Sequence, residues 1–257
     1  MAALFTLFLQ ALGAALQLLF GILALATARH QDAFLPVRRE AWWLTGATFT
    51  LLGAIMLVHT AIGSPWAYFS GPGTTVYEVY LRWSPVGNHS RALLIVGFGV
   101  LLLLLVWRQQ LAHFRQLAVA VLLLAALLGG IAGWLEGSLI EARHFTLLAI
   151  GDTLQLMVIS AALLSALWLR MVDEHLWLCL SLYALMLALN VGWYSAMAWL
   201  DVPGAWVPTS MHMQMCRQVA YLGMLAFVLR RLVLARRGVQ VPAFTDPEPE
   251  PEFSTFG

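Results

Sequence analysis

Long apolar segments recur from one end of this chain to the other, and the short turns between them hold most of the charged residues. A helix needs about 20 consecutive apolar residues to cross the hydrocarbon layer of a membrane. Irregular backbone cannot lie in that layer, because its polar groups would find no partner there. The sequence therefore predicts an all-α integral membrane protein, built as a helix bundle in lipid.

The composition excludes several other classes of protein. Of the 257 residues, 61% are hydrophobic and 11% are charged, whereas a soluble domain is about half apolar and about a quarter charged. The net charge of +1 gives no sign of a nucleic-acid partner. The chain contains no lysine, which excludes the rhodopsins because they hold retinal as a lysine Schiff base.

Seven segments are long enough to span a membrane, and together they predict one transmembrane domain over residues 1–237. The predicted spans cover residues 3–28, 42–63, 89–107, 116–136, 145–169, 176–200 and 209–233. A loop at 64–87 is the one sizeable feature outside the membrane, and within it Thr74 to Trp83 is predicted to form a short interfacial helix. The Pro- and Glu-rich tail at 238–257 is expected to be disordered.

The arginines are divided unequally between the two sides of the predicted bundle. Ten flank the first, third and fifth loops and the C-terminal end, whereas Arg82, Arg91 and Arg143 lie on the opposite side. Because cytoplasmic loops carry the excess of positive charge, the N-terminus is predicted outside and the C-terminus in the cytoplasm. We expect a multi-pass protein of the cell membrane, in a bacterium the inner membrane, with the lipid bilayer as its main partner.

Polar side chains within the spans share one depth, in the half of the bundle that this orientation places outside. Such residues are costly in lipid, so each is a candidate functional residue. The predicted outward-facing pocket is lined by Glu136, Asp152, Gln155, Asn190, Tyr194, Arg217 and Gln218. Because a buried guanidinium needs a counter-charge, Arg217 is expected to pair with Asp152, or alternatively with Glu136. That pair could form part of a binding site or simply link spans 5 and 7.

Two histidines on different spans suggest a haem. His59 and His212 lie at similar depths, each within two turns of an outer helix end. A pair of this kind can supply both axial ligands of a b-type haem, and Arg217, just below His212, could then bind a propionate. Two unrelated histidines near the membrane interface are the simpler interpretation.

A row of glycines on span 4 bears on the same question. Gly129, Gly133 and Gly137 recur at every fourth residue and form a smooth stripe. The stripe could admit a flat macrocycle, or it could allow the close helix contact that small residues at this spacing favour.

The start of span 7 also carries soft metal ligands. Met211, Met215 and Cys216 offer sulfur atoms, and His212 faces two of them at i+3 and i+4. Thioether and thiolate groups suit Cu(I), which makes copper the alternative cofactor, although methionine is also a common gap-filler. Cys179 lies on a different span from Cys216, so both cysteines are expected to be free thiols.

Three functions remain open from the sequence. The first is a redox or electron-transport protein, such as a respiratory-complex subunit, that binds haem b or a quinone in the outer leaflet. The second is a small-solute transporter or seven-span sensor whose pocket takes a small anionic ligand at Arg217. The third is a structural or assembly subunit that packs among other membrane subunits without a cofactor. No sequence motif of a known catalytic class is present, so an enzymatic activity is undecided.

Overall fold

The computed structural model describes residues 2–30, 36–62, 75–108, 113–136, 144–169, 174–199 and 209–237. These residues form seven helices: α1 Ala2–His30, α2 Pro36–Ile62, α3 Thr75–Arg108, α4 Phe114–Glu136, α5 His144–Trp168, α6 Glu174–Trp199 and α7 Thr209–Arg236. The described residues contain no strand. The prediction of an all-α bundle is confirmed. The tail at 238–257 lies outside the described residues.

Six of the helices, α1 to α6, are long and apolar enough to cross a membrane. Large apolar side chains are exposed along α4, where a soluble protein would carry polar ones; they include Leu123, Leu124, Leu127 and Leu128. A multi-pass protein in a lipid bilayer follows from these helices. The seventh helix has 28 residues, a length of about 42 Å at 1.5 Å per residue, but four arginines lower its apolarity. Its crossing of the membrane, like the orientation of the bundle, stays a prediction.

The predicted loop at 64–87 is wrong in its second part. Helix α3 begins at Thr75 and continues through Pro85 to Arg108, so the predicted interfacial helix and span 3 are one continuous element. Proline removes a backbone N–H and normally bends or ends a helix. At this point α3 is packed on both sides, against α2 and α4, and these contacts outweigh the local preference of Pro85 for a break.

The helices form three antiparallel pairs, in which α1 packs along α2, α3 along α4 and α5 along α6. Helix α3 also contacts α2 and α5, while α7 lies between α1 and α6 and contacts α1 more extensively. The resulting ring runs α1, α2, α3, α5, α6, α7, with α4 outside it against α3 and α2. Residues that face the interior of this ring can therefore meet residues from several helices.

Glycines allow the closest helix contacts in the bundle. A Cβ added to Gly21 would come closer than 3.0 Å to the backbone of Thr50 on α2. On α4, a Cβ added to Gly129 or Gly133 would come equally close to the α3 backbone at His89 or Pro85. The predicted stripe is therefore occupied by α3 and leaves no room for a macrocycle at these two glycines. Gly137 lies outside the described residues.

Aromatic rings fill the middle of the ring of helices. Phe49 of α2 meets Phe20 of α1, Phe98 of α3 and Tyr183 of α6, with ring centroids 5.0, 6.5 and 5.6 Å apart. All three contacts are edge-to-face, an arrangement worth about 0.5–1.5 kcal/mol per pair beyond the burial of area. These contacts tie α1, α2, α3 and α6 together in the core.

An ion pair on the predicted cytoplasmic side links α2 to α4. Arg115 donates from Nε and Nη2 to the two carboxylate oxygens of Glu40 at 2.8 Å each. Its guanidinium also lies 5.5 Å from the ring centroid of Trp43. The Arg115 side chain is 47% exposed, so this pair is a surface contact.

Candidate functional site

A largely buried ion pair joins α3 to α5 inside the ring. Nη2 of Arg91 lies 3.4 Å from Oδ1 of Asp152, and the two side chains are 19% and 2% exposed. The same carboxylate oxygen accepts a 2.8 Å hydrogen bond from Nε2 of Gln155, which also donates to the carbonyl of Gly151 at 3.1 Å. Asp152 and Gln155 are three residues apart and therefore share one face of α5.

Arg91 is the site residue that the sequence analysis missed, because it was assigned to the outer flank of span 3. Its spacing in the sequence does carry a signal. Leu94, Ile95 and Phe98 follow at i+3, i+4 and i+7, and all three are fully buried. Residues at these spacings lie on one helix face, so Arg91 shares the buried face of α3.

Asp152 has an arginine partner that the sequence analysis did not predict. The sequence predicts Arg217, whereas the structure places Arg91 beside this carboxylate. The reason is the helix order, since α5 packs between α3 and α6 while α7 packs against α1 and α6. The described residues thus show a link between spans 3 and 5, while the predicted link between spans 5 and 7 stays a prediction because the Arg217 side chain lies outside them.

Four buried polar atoms in this region have no hydrogen-bond partner among the described residues. They are Nε of Arg91, Oδ2 of Asp152, Oε1 of Gln155 and Oδ1 of Asn190. The side chains of Asp152, Gln155 and Asn190 are no more than 3% exposed. Buried polar atoms in native proteins are nearly always paired with protein or with ordered water, so this cluster has capacity for a further partner.

Asn190 lies at the same level as Asp152. Helices α5 and α6 pack against each other, and only residues 170–173 separate their described parts in the sequence. Asp152 and Asn190 are therefore similarly far along their helices from these residues, about 25 Å at 1.5 Å per residue. Both side chains are buried, which places them together in the predicted outer half of the bundle. The sequence analysis grouped both residues in one pocket.

Three tyrosines border the same region. Arg91 is close enough to Tyr183, Tyr194 and Tyr221 to interact with them electrostatically. The hydroxyl of Tyr221 accepts a hydrogen bond from Nε2 of Gln17 on α1. Residues of α6 and α7 thus belong to the electrostatic surroundings of Arg91. The sequence analysis found Tyr194 but missed Tyr183, Tyr221 and Gln17.

A small, partly open cavity lies between α6 and α7. Its walls are Phe49, Cys179, Leu182, Tyr183, Tyr221, Met224, Leu225 and Val228. Tyr183 and Tyr221 belong both to the cavity wall and to the surroundings of Arg91. The cavity is apolar along most of its wall, and the two phenol side chains are its link to the surroundings of Arg91.

His59 packs against the α3 backbone. A Cβ added to Gly87 would lie 2.5 Å from Nδ1 of His59, so the imidazole occupies the space that this glycine leaves. His59 also interacts electrostatically with Arg91. One of the two predicted haem ligands is thus held close to the buried ion pair.

The remaining predicted site residues have side chains outside the described part of the structure; they are Glu136, Met211, His212, Met215, Arg217 and Gln218. The histidine pair, the copper group and an interaction of Arg217 with Asp152 stay predictions for this reason. Within the described residues, no three His, Cys, Asp or Glu side chains are grouped to hold a metal ion. Cys179 is buried, Cys216 is exposed, and both are free thiols as predicted.

Comparison with known proteins finds no matching family model, no significantly similar characterised protein and no significantly similar solved structure. The chemistry of the site therefore has to be derived from its own residues and their geometry.

Proposed function

We propose that this protein binds the head group of a membrane-soluble quinone at the cluster of Arg91, Asp152, Gln155 and Asn190, called the Arg91 cluster below. It would act as a redox or electron-transport component of its membrane. The observation that carries the proposal is the set of unpartnered buried polar atoms beside an apolar cavity. A quinone has a polar head and a hydrocarbon tail, so it matches polar groups that lie beside an apolar cavity. A respiratory-complex subunit that binds quinone would have such a site.

The charge balance of the cluster favours an uncharged head group. Arg91 and Asp152 offset each other, so an added ion would bring an uncompensated charge into a region that is largely shut off from water. Such a charge is expensive to bury. A neutral ring with two oxygen substituents can use the hydrogen-bonding capacity of the cluster without this cost.

The cavity supplies a place for the tail. Tyr183, on its wall, and Asn190, in the cluster, are seven residues apart on α6, which is about 10 Å along the helix. A head group beside Asn190 would therefore have the cavity within reach of its first tail carbons. Helix α7 contacts α6 less extensively than it contacts α1. The gap between α6 and α7 is therefore the side of the ring through which a quinone could best exchange with the bilayer.

Binding of a short-chain ubiquinone to the protein in nanodiscs, followed by tryptophan fluorescence, tests the head-group site. The double variant Arg91→Gln/Asp152→Asn keeps the charge balance but removes hydrogen-bonding groups, and should weaken binding by about tenfold or more. Arg115→Gln, which also removes one guanidinium, should bind as the wild type does. Equal binding by all three proteins would exclude the proposed site.

A second pair of variants tests the tail. Leu225→Trp should fill the cavity and weaken binding of long-tailed quinones more than that of short-tailed ones. Leu117→Trp adds the same ring on the lipid-exposed face of α4 and should leave both affinities unchanged. Equal effects of the two substitutions would place the tail elsewhere.

A haem would support the redox function by a different route. His59 and His212, with Arg217, remain its proposed ligands, and Met211, Met215, Cys216 and His212 those of copper. A visible absorption spectrum of the purified protein, oxidised and then reduced with dithionite, decides the haem question, and metal analysis decides the copper one. A haem held by both histidines must be lost in His59→Ala and in His212→Ala.

A transporter or sensor with an outward-facing pocket is the second candidate. It is favoured by the position of Arg91, which lies only six residues into the apolar segment Pro85–Arg108. A small solute could reach that depth from the predicted outer side. Solute uptake or binding that needs Arg91 and Asp152, in a protein that binds no quinone, would support this candidate. A protein that binds neither would fit the structural-subunit alternative.

A further inference from the structure

We infer that the Arg91 cluster binds the reduced hydroquinone in preference to the oxidised quinone. The inference rests on the proposed function and specifies which form of the ligand the site selects. It follows from the kinds of atom that the cluster leaves unpartnered.

The unpartnered atoms are mostly acceptors. Oδ2 of Asp152, Oε1 of Gln155 and Oδ1 of Asn190 can each accept a hydrogen bond, whereas Nε of Arg91 is the one donor of the four. Asp152 is the carboxylate partner of the Arg91 guanidinium at 3.4 Å, and a carboxylate has no donor. A ligand that offers O–H groups therefore matches the cluster better than one that offers only carbonyl oxygens.

The orientation of the Gln155 amide follows from its neighbour. An amide can be placed with its nitrogen and oxygen exchanged, but the oxygen of Asp152 at 2.8 Å requires a donor. Nε2 of Gln155 must therefore face Asp152, and Oε1 remains an acceptor. Two of the three acceptors are in this way fixed by the chemistry of the ion pair.

The two oxidation states of the ligand would meet this arrangement differently. A quinone has two carbonyl oxygens, which would lie against the acceptor oxygens of Asp152, Gln155 and Asn190. Its donors would be Arg91 and the nearby tyrosine hydroxyls, and the hydroxyls suit either form because they both donate and accept. A hydroquinone has two hydroxyl groups, which can donate to Asp152 and to Gln155 or Asn190. One such hydroxyl can at the same time accept from Nε of Arg91, since a hydroxyl both donates and accepts.

The preference has a measurable consequence for the redox couple. Selective binding of the reduced form raises the midpoint potential of the bound ligand above that of the free ligand. For a two-electron couple, a tenfold ratio of affinities corresponds to a shift of about 30 mV. We expect at least that ratio, because the hydroquinone gains one hydrogen bond to a carboxylate, a charge-assisted contact stronger than a neutral one.

Anaerobic titration of the wild-type protein in nanodiscs with the oxidised and the reduced form of one short-chain ubiquinone tests the inference. The expected result is a dissociation constant at least about tenfold lower for the reduced form. Asn190→Leu, which removes the Oδ1 acceptor, should lower this ratio, while Arg115→Gln should preserve it. Gln155→Met removes the Oε1 acceptor together with the Nε2 donor to Asp152 and so tests the Gln155–Asp152 pair as a whole. The wild-type comparison needs no variant to fold.

Each outcome has one meaning. Equal affinities, or tighter binding of the oxidised form, would overturn the inferred preference while leaving quinone binding in place. Binding of neither form would overturn both the preference and the proposed function. A preference that persists unchanged in Gln155→Met and in Asn190→Leu would assign it to residues other than this cluster.

Discussion

Removal of one member of the Arg91–Asp152 pair should destabilise the protein about as much as removal of both. Asp152→Asn leaves a guanidinium without a counter-charge, and Arg91→Gln leaves a carboxylate that is 2% exposed. The double variant Arg91→Gln/Asp152→Asn contains two neutral amides of similar shape, which can still hydrogen-bond to each other and to Gln155.

The separation and burial of the pair set the magnitude. At 3.4 Å, and with an effective dielectric constant of about 20, the attraction between unit charges is about 5 kcal/mol. Loss of one partner of a buried pair typically costs about 3–5 kcal/mol. Because Arg91 is still 19% exposed, we expect the lower end, about 3 kcal/mol for each single variant. A double variant that costs no more than either single one gives a coupling energy of about 3 kcal/mol.

The measurement is the free energy of unfolding in mixed micelles, obtained by titration with a denaturing detergent and followed by circular dichroism. The Glu40–Arg115 pair provides the control cycle. Its contacts are shorter, at 2.8 Å, but Arg115 is 47% exposed, so its coupling should be only about 0.2–1 kcal/mol. Equal coupling in the two cycles, or additive costs for Arg91 and Asp152, would refute the view that burial makes this pair strong.

Three other predictions concern packing and orientation. Gly133→Ala should lower stability by about 1–3 kcal/mol because its methyl group would strike the α3 backbone. Gly192→Ala, where nothing lies within 4 Å, should leave stability unchanged or raise it by up to about 1 kcal/mol; equal thermal shifts for the two would contradict the packing. Gly87→Ala should also destabilise the protein, and the added change His59→Ala should restore part of the loss, because the imidazole is the group that the methyl displaces. Green fluorescent protein fused after Arg237 should fluoresce, and alkaline phosphatase fused there should be inactive; the opposite pattern would reverse the orientation.

The helices could be predicted from the sequence because lipid imposes a length and an apolarity that few other structures require. Five of the seven predicted spans begin and end within a few residues of the described helices. Helix α2 begins somewhat earlier than predicted, at Pro36, and α3 begins much earlier, at Thr75. Its first part holds Pro85 and Gly87, whose local preferences favour a break, and its continuity depends on packing against α2 and α4 that no local pattern encodes.

The site could be predicted only in part, for a related reason. Asp152, Gln155, Asn190 and Tyr194 were identified because polar residues within apolar spans stand out in the sequence. Their arginine partner was not identified, because Arg91 lies near the end of a predicted span and was counted among the arginines that indicate membrane orientation. Which arginine reaches Asp152 depends on the order of helices around the ring, and helix order follows from contacts between segments that are distant in the sequence.

The cost of the polar cluster favours the proposed role in binding over a purely structural one. Each buried polar atom without a partner costs about 1–3 kcal/mol, and four such atoms lie in the cluster. Their sum is comparable to the net stability of about 5–15 kcal/mol that a folded domain retains. An apolar contact between α3 and α5 would link the helices without this cost, because packing alone drives helix association in lipid. This cost supports the proposal of a further partner that supplies hydrogen bonds to the cluster.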